Sequence, residues 1–346
     1  MLIFLHLKEK IKHGVYFIAE MSANHAGSLD TALKIVKAAK DSGADCLKLQ
    51  TYTADTLTLN CNKDYFKVKG GLWDGMTLYE LYKEASMPWD WQPIIKQKCE
   101  DLGLDFLSTP FDNSAVDFLE DLGVEFYKIA SYELTDIPLI EHVASKGKPI
   151  VMSCGMGTVD EITEALAACE KHNNKDIILL KCCSEYPANF EDMNLAVIPD
   201  MIERFDCPVG FSDHSIGHLA DVVAVTLGAC VIEKHFCLSR AIKNPDSEFS
   251  MEPAEFKAMV EAVNNAYQIK GTKTYKRTNL EEREAKRRRS IFAAKDIAAG
   301  EVLSVDNMKI IRPGDGASPK FWSALLGKKA RHAIEFGEPV LIEDVF

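Results

Sequence analysis

A chain of 346 residues, 47% hydrophobic and 27% charged, is long enough for one large core and a small second domain. Its formal net charge of −12 excludes nucleic acid as a main partner, while a locally basic site for an anionic small molecule stays possible. The apolar start is broken by Lys8, Glu9 and Lys10 and no run reaches the length of a membrane span, so a soluble, cytoplasmic protein without a membrane partner is expected.

Taken in order, the chain repeats one pattern. YFIAE (Tyr16–Glu20) reads as a strand, after which Ser28 caps an alanine-rich amphipathic helix ending at Gly43. DCLKLQ (Asp45–Gln50) is a second strand, followed by a long polar excursion and helical patterning from about Leu78 to Leu102. DFLSTP (Asp105–Pro110), FYKIAS (Phe126–Ser131), PIVMSC (Pro149–Cys154) and IILLKC (Ile177–Cys182) follow, each with a helix-like segment behind it. VGFSDH (Val209–His214), a helical run from Ile216 to Ala229, and VIEKHF (Val231–Phe236) make another βαβ unit. A last helix over residues 253–267 closes the set. Eight such units predict a (β/α)8 TIM barrel over residues 1–275. A doubly wound open sheet is the rival, but no glycine fingerprint follows the first strand.

Active sites of such barrels lie at the carboxyl ends of the strands. Those ends carry Glu20, Lys48 with Gln50, Thr109, Lys128 with Ser131 and Glu133, Ser153, Lys181, Ser212 with His214, and Glu233 with His235. Any one of them could be bland, as a snorkelling lysine or a helix-capping serine. A purely structural barrel has no need of all of them. Lys48 and Lys128, with several hydroxyls, make a donor-rich floor suited to a phosphate or carboxylate. Alternation puts Ser212 on the face of His214 and Glu233 on that of His235. Two imidazoles and a carboxylate on neighbouring strand ends suit a divalent metal with open positions. Two long loops, Asn60–Asp74 with Trp73 and Asn244–Pro253 with Asp246, reach the same mouth.

Beyond Lys270 the pattern changes. Residues 276–289 are charged and aperiodic and read as a linker or exposed helix. Residues 290–346 hold an internal repeat, in which Ile297-x-x-Gly300-Glu301-x-Leu303-x-x-Asp306 recurs as Ile334-x-x-Gly337-Glu338-x-Val340-x-x-Glu343. Two similar halves predict a small pseudo-symmetric β-rich domain. The ten cysteines form no CxxC pair and are expected as reduced thiols.

At this point the motifs FIAEMSANHAG, LKLQTY, STPF, YKIASYE, SCGM, Tyr186-Pro187, FSDHS, VIEKHF and Arg312-Pro313-Gly314 resemble, in order, the sialic acid synthase family. Its members join phosphoenolpyruvate to an acetamido sugar and carry a carboxyl-terminal antifreeze-like (SAF) domain. KGGLWDG (Lys69–Gly75) followed by LYELYKEA (Leu78–Ala85) resembles the branch that makes pseudaminic acid. Where the sialic acid branch has an asparagine on phosphoenolpyruvate, this chain has Ser184.

The resemblance implies the following roles. His214 and His235 hold a divalent metal, Mn²⁺ with Mg²⁺ or Co²⁺ as alternatives. Lys48, Thr109, Lys128, Ser131, Ser153, Ser184 and Ser212 cradle phosphoenolpyruvate. Glu20, Gln50, Tyr186 and Asp246 position the sugar, with Trp73 from the long loop against its methyl group. Glu133 moves the proton of the attacking water, and Glu233 orients the metal site. Arg312 meets an acetamido carbonyl from the partner subunit of a domain-swapped homodimer. Two rivals come from other classes: a lysine Schiff-base aldolase using Lys128 or Lys181, and a non-catalytic binding protein.

Overall fold

The computed structural model describes residues 2–346, which divide after Gly271 into two compact units. In the first unit eight parallel strands alternate with helices: β1 (Tyr16–Glu20), β2 (Cys46–Thr51), β3 (Asp105–Pro110), β4 (Tyr127–Ile129), β5 (Ile150–Ser153), β6 (Ile177–Cys182), β7 (Val209–Asp213) and β8 (Val231–His235). Their hydrogen-bonded order, β3-β2-β1-β8-β7-β6-β5-β4, brings β3 and β4 side by side at the seam, and the sheet closes as a (β/α)8 barrel. The open-sheet rival is excluded, because β1 pairs with β8 in register from Tyr16↔Val231 to Glu20↔His235.

The helices start where the sequence caps them. Helix α1 (Leu2–His13) precedes the barrel, and α2 (Leu29–Asp41) begins at Ser28, whose side chain accepts from Thr31 N. The run expected from Leu78 to Leu102 is two helices, α3 (Leu78–Ala85) and α4 (Trp91–Asp101). Pro88 explains the break, since it disfavours helical geometry at the residue before it. The remaining barrel helices are α5 (Asn113–Asp121), α6 (Ile137–Ser145), α7 (Val159–Glu170), α8 (Ile198–Phe205), α9 (Leu219–Leu227) and α10 (Pro253–Lys270). Helix α9 starts later than the apolar pattern does, because Ser215–Gly217 are held in the turn that precedes it.

Strand alternation separates two apolar layers. One alternating set on each strand, including Phe17, Leu47, Phe106, Tyr127, Met152, Leu179 and Ile232, packs between strands and helices. Inside the barrel, Tyr16, Ile18, Cys46, Leu107, Phe126, Val151, Ile178, Leu180 and Val231 form a dry floor, joined by Leu7 of α1. Helix α1 thus lays Leu7 against the barrel's lower end, a use that composition alone did not reveal. Among the described residues no helix is long and apolar enough to cross a membrane.

The second unit is built on its repeat. Strands β9 (Ser290–Ala293) and β10 (Met308–Ile311) pair antiparallel. The equivalent residues Ile297 and Ile334 exchange both backbone hydrogen bonds, 2.8 and 2.9 Å. Gly300 N donates to Ala330 O at 2.8 Å, and its counterpart Gly337 N donates to Ala293 O at 2.9 Å. Both glycines need positive φ, +83° and +85°, which side-chain-bearing residues rarely adopt. The two halves are therefore related by a local pseudo-dyad through Ile297 and Ile334, over a shared core that includes Ile291, Leu303, Met308 and Val340. Helix α11 (Asn279–Ala285), capped by Thr278 and with no buried residue, occupies the segment expected as a linker or exposed helix.

One inward-facing glycine sets how closely β7 and β8 approach. A Cβ on Gly210 would lie 2.6 Å from Val231 O and 2.7 Å from Val231 Cβ. Gly210→Ala is expected to lower stability by about 1–3 kcal/mol, because backbone and a packed β-branched residue cannot give way easily. Urea unfolding of the variant checks this, and an unchanged midpoint would contradict it.

Candidate active site

Every strand hands an inward residue to the layer above the apolar floor. Glu20, Lys48, Thr109, Lys128, Ser153, Ser212, Glu233, His214 and His235 are all buried there. Lys181 is not among them. It shares parity with Ile177 and Leu179 on the helix side of β6, and its ammonium donates to Cys182 O at 3.0 Å. The inward group of that strand end is Cys182, which the sequence marks only as one of ten reduced thiols. Alternation puts Cys182 on the face of Ile178 and Leu180, but IILLKC is apolar on both faces, so the sequence does not say which face turns inward.

The centre of this layer is a cluster of opposed charges. Lys48 Nζ lies 2.5 Å from Glu20 Oε2 and 3.5 Å from Glu233 Oε1. Lys128 Nζ lies 3.8 Å from the same Glu233 oxygen and donates to Ser153 Oγ at 2.6 Å and Ile129 O at 3.1 Å. Ser212 Oγ donates to Glu233 Oε1 at 3.1 Å, and Lys48 reaches Thr109 Oγ1 at 3.5 Å. Burial opposes ionisation of Glu233, but both ammonium groups and Ser212 outweigh it and hold its pKa below the usual value. Glu20 has one ammonium partner and faces the Glu233 charge. Burial, above all, pushes its pKa up to about 7. Burial lowers Lys128, whereas Glu20 and Glu233 offset burial at Lys48 and raise it.

Next to this cluster, Ser131 and Glu133 lie in a 3₁₀ turn after β4. Ser131 Oγ accepts from Gly155 N at 3.0 Å. A Cβ on Gly155 would meet Ser184 Oγ at 2.2 Å and Ser131 Oγ at 2.7 Å, so only glycine lets both hydroxyls converge on bare backbone. Glu133 has a buried Oε2 without a hydrogen-bond partner, and burial raises its pKa to about 7. A carboxyl poised there is suited to moving a proton near neutral pH.

The two histidines sit together, with ring centroids 5.5 Å apart. Nδ1 of His214 lies 2.9 Å from Cys183 O, and a carbonyl only accepts, so Nδ1 carries a proton and the neutral ring keeps its lone pair on Nε2. Burial opposes the charged ring, but Cys182 and the Cys183 carbonyl outweigh it and raise the pKa. His235 has a buried Nδ1 with no protein partner. Burial, then His214 and the lysines, keep His235 neutral well below its usual pKa. A neutral His235 and a His214 whose Nδ1–H is fixed by a carbonyl fit a divalent cation, whose binding would take the place of a proton on His214. Among the described residues no group of three or more His, Cys, Asp or Glu forms a ready cage, so substrate and water would complete the shell.

Aromatic rings wall this corner. Tyr186 lies 4.2 Å from the His214 ring and 5.2 Å from Phe249, and Phe249 lies 4.9 Å from His235. Trp73 comes within 6.0 Å of Tyr186, and its indole N–H donates to Pro245 O at 3.0 Å. That bond ties the loop after β2 to the loop after β8, across a cleft of about 240 Å³ that Leu72 and Met76 also line. Asp246 accepts from Ala23 N at 3.1 Å, which joins the β8 loop to the turn after β1. Gln50 stands at the end of β2, half-buried. Arg312 belongs to the second unit, where it is exposed.

The fold and this layer define a (β/α)8 barrel with an anion-binding, histidine-flanked pocket at its strand ends. The NeuB family profile matches residues 35–275 and the SAF domain profile matches residues 288–345. The pseudaminic acid synthase of Campylobacter jejuni subsp. jejuni serotype O:23/36 (strain 81-176) is 46% identical, over 95% of this chain and 96% of its own. That of Helicobacter pylori (strain ATCC 700392 / 26695) is 43% identical, over 95% and 97%. A crystal structure of N-acetylneuraminic acid synthetase from Leptospira borgpetersenii serovar Hardjo-bovis, in complex with citrate, aligns with a TM-score of 0.71 at 31% identity, covering 79% of this chain and 90% of its own. The chain belongs to the NeuB family.

The raised carboxyl of Glu133 has a thermodynamic signature. From an ordinary value of 4.5 it rises to about 7, so between those pH values the folded state holds a proton that the unfolded chain releases. Stability therefore falls as pH rises through that window. Glu133→Gln should flatten the fall by on the order of 1–3 kcal/mol between pH 4.5 and 8, seen in urea unfolding across pH. A parallel slope in the variant would contradict the buried, neutral carboxyl.

Proposed function

We propose that this protein is a pseudaminic acid synthase, condensing phosphoenolpyruvate with 2,4-diacetamido-2,4,6-trideoxy-L-altrose and releasing phosphate. The observation that carries the reading is the buried layer in which Lys48 and Lys128 stand among Thr109, Ser153 and Ser212. Similarity to the synthases of C. jejuni and H. pylori supports the choice of sugar.

In this reading the phosphate and carboxylate of phosphoenolpyruvate take over the ammonium donors from Glu20 and Glu233, with Ser131 and Ser184 converging over Gly155. A divalent cation held by His214 and His235, Mn²⁺ with Mg²⁺ or Co²⁺ as alternatives, supplies Lewis-acid polarisation of the open-chain sugar aldehyde. The methylene carbon forms the new C–C bond to that aldehyde carbon as the aldehyde's C=O π pair moves onto its oxygen, which takes a proton from solvent to become a hydroxyl. The enol C=C pair spent on the new bond leaves an oxocarbenium at C2. Glu133 takes a proton from water as its oxygen bonds to C2. The tetrahedral centre then collapses to the ketone as its C–O bond to phosphate breaks. Before phosphoenolpyruvate binds, Glu233 holds both lysines and Ser212 in place, and afterwards it orients the metal site. Glu20, Gln50, Tyr186 and Asp246 orient the sugar, and Trp73 covers its deoxy end.

The protein works in this reading as a cytoplasmic, domain-swapped homodimer, in which the partner's copy of the second unit brings an arginine equivalent to Arg312 to the acetamido group. N-acetylneuraminate and legionaminate synthesis are the nearest alternatives. A lysine Schiff-base aldolase is disfavoured, because Lys181 faces the helices and Lys128 is committed to Ser153 and Ile129. A non-catalytic scaffold has no use for buried carboxyls poised near neutral pH.

The test is phosphate release from phosphoenolpyruvate with a panel of acetamido sugars, before and after chelation and with Mn²⁺ restored. Burying the C6 methyl is worth roughly 0.8 kcal/mol, and stranding the hydroxyl of N-acetylmannosamine costs about 1–3 kcal/mol more. Together these give a preference on the order of tenfold to a few hundredfold for the trideoxy sugar. Trp73→Ala should narrow that gap by impairing the trideoxy reaction most. Efficient turnover of N-acetylmannosamine by the unaltered protein would overturn the pseudaminic reading.

A further inference from the structure

The helix-facing side of the barrel is mainly apolar, but β7 and β8 place a wholly buried ion pair there. Asp213 and Lys234, each 1% exposed, make direct contact across the two strands. Helix-side positions on other strands carry apolar residues, Ala19 beside Lys234 in the β1–β8 register and Phe17, Leu47, Tyr127, Met152 and Leu179 elsewhere. Apolar residues would fill this space at no greater cost, so the pair is weak evidence for stability and calls for another explanation.

Its hydrogen bonds supply one. Lys234 Nζ directs its donors to the Asp213 carboxylate, to Ser215 O at 2.7 Å and to Gly217 O at 2.8 Å. Asp213 accepts in turn from Ser215 N at 2.8 Å and Ser215 Oγ at 3.0 Å. His214 lies between these anchored residues, and its own carbonyl accepts from Ala188 N at 3.1 Å. The backbone on both sides of the imidazole is therefore fixed from behind, where neither substrate nor metal reaches. Asp221 of α9 approaches Lys234 at 3.8 Å and closes the cluster.

We infer that Lys234, acting with Asp213, is a positioning residue: it clamps the Ser215–Gly217 turn so that His214 donates through Nδ1 to Cys183 and presents Nε2 to the barrel mouth. The inference deepens the reading of His214 as a residue of the active site and rests on it. Fixing a ligand's tautomer from behind in this way typically governs metal affinity or activity by 10–100-fold.

The experiment uses the full chain and two variants. Lys234→Met keeps the aliphatic stem and removes the donors. Lys234→Met/Asp213→Asn also removes the unpaired charge while keeping an acceptor for Ser215 N, so it folds where the single change does not. ¹⁵N-histidine spectra of chelated protein read the tautomer of His214 directly, without metal or turnover. The unaltered protein should show the Nδ1–H form, and the folded variant a mixture of both forms. With the substrates of the proposed reaction, kcat should fall about 10–100-fold while KM for phosphoenolpyruvate stays within about threefold. An Nε2–H tautomer in the unaltered protein, or an unchanged tautomer in a folded variant, would overturn the inference. Absence of phosphate release from the unaltered protein would instead count against the proposed function, and the tautomer readout alone would then decide this one.

Discussion

The structure depends on how a closed barrel disposes of buried charge. Parallel strands buried on both faces must be apolar along most of their length, and the inner residues from Tyr16 to Val231 are. One layer higher, Lys48 and Lys128 are buried with Glu20 and Glu233, and the layer holds only because opposite charges stand within 4 Å of each other. Such an arrangement contributes little to folding. It leaves two ammonium groups, aligned and desolvated, that an anionic substrate can claim from their carboxylate partners. Site and fold are coupled here through a single parity choice on each strand.

The same parity argument explains what the sequence made legible. Alternation along VGFSDH and VIEKHF was enough to place Ser212 with His214 and Glu233 with His235, and the register Ser212↔Glu233 follows from it. The βα repeats told the barrel from an open sheet before the β1–β8 pairing was known, and the 37-residue spacing from Ile297 to Ile334 foretold the paired halves of the second unit. What stayed hidden depends on tertiary partners. Nothing local says that Lys181 turns toward the helices while Cys182 turns inward, because IILLKC is apolar on both faces before that point. The join of Trp73 to Pro245 links loops 172 residues apart and leaves no periodic trace. Helix α1 looked like an unpatterned apolar start, since its role depends on the lower end of the barrel.

Loops carry the specificity, and here they are tied to one another. Trp73 fastens the β2 loop to the β8 loop, Asp246 fastens the β8 loop to the turn after β1, and Cys183 O fixes His214 from the β6 loop. Each tie is one hydrogen bond between segments distant in sequence. The mouth is thus organised by a few side-chain-to-backbone hydrogen bonds rather than by a second core.

The central claim is that the charged layer receives phosphoenolpyruvate, whose anionic groups compete with Glu20 and Glu233 for Lys48 and Lys128. Calorimetric titration of phosphoenolpyruvate at pH 7.5, in buffers of different ionisation enthalpy, tests it most directly. When the ligand draws Lys48 away from Glu20, that carboxyl, already near a pKa of about 7, should take up on the order of one proton. Glu20→Gln should abolish the uptake. Tight binding without proton uptake, or uptake unchanged in that variant, would contradict the account.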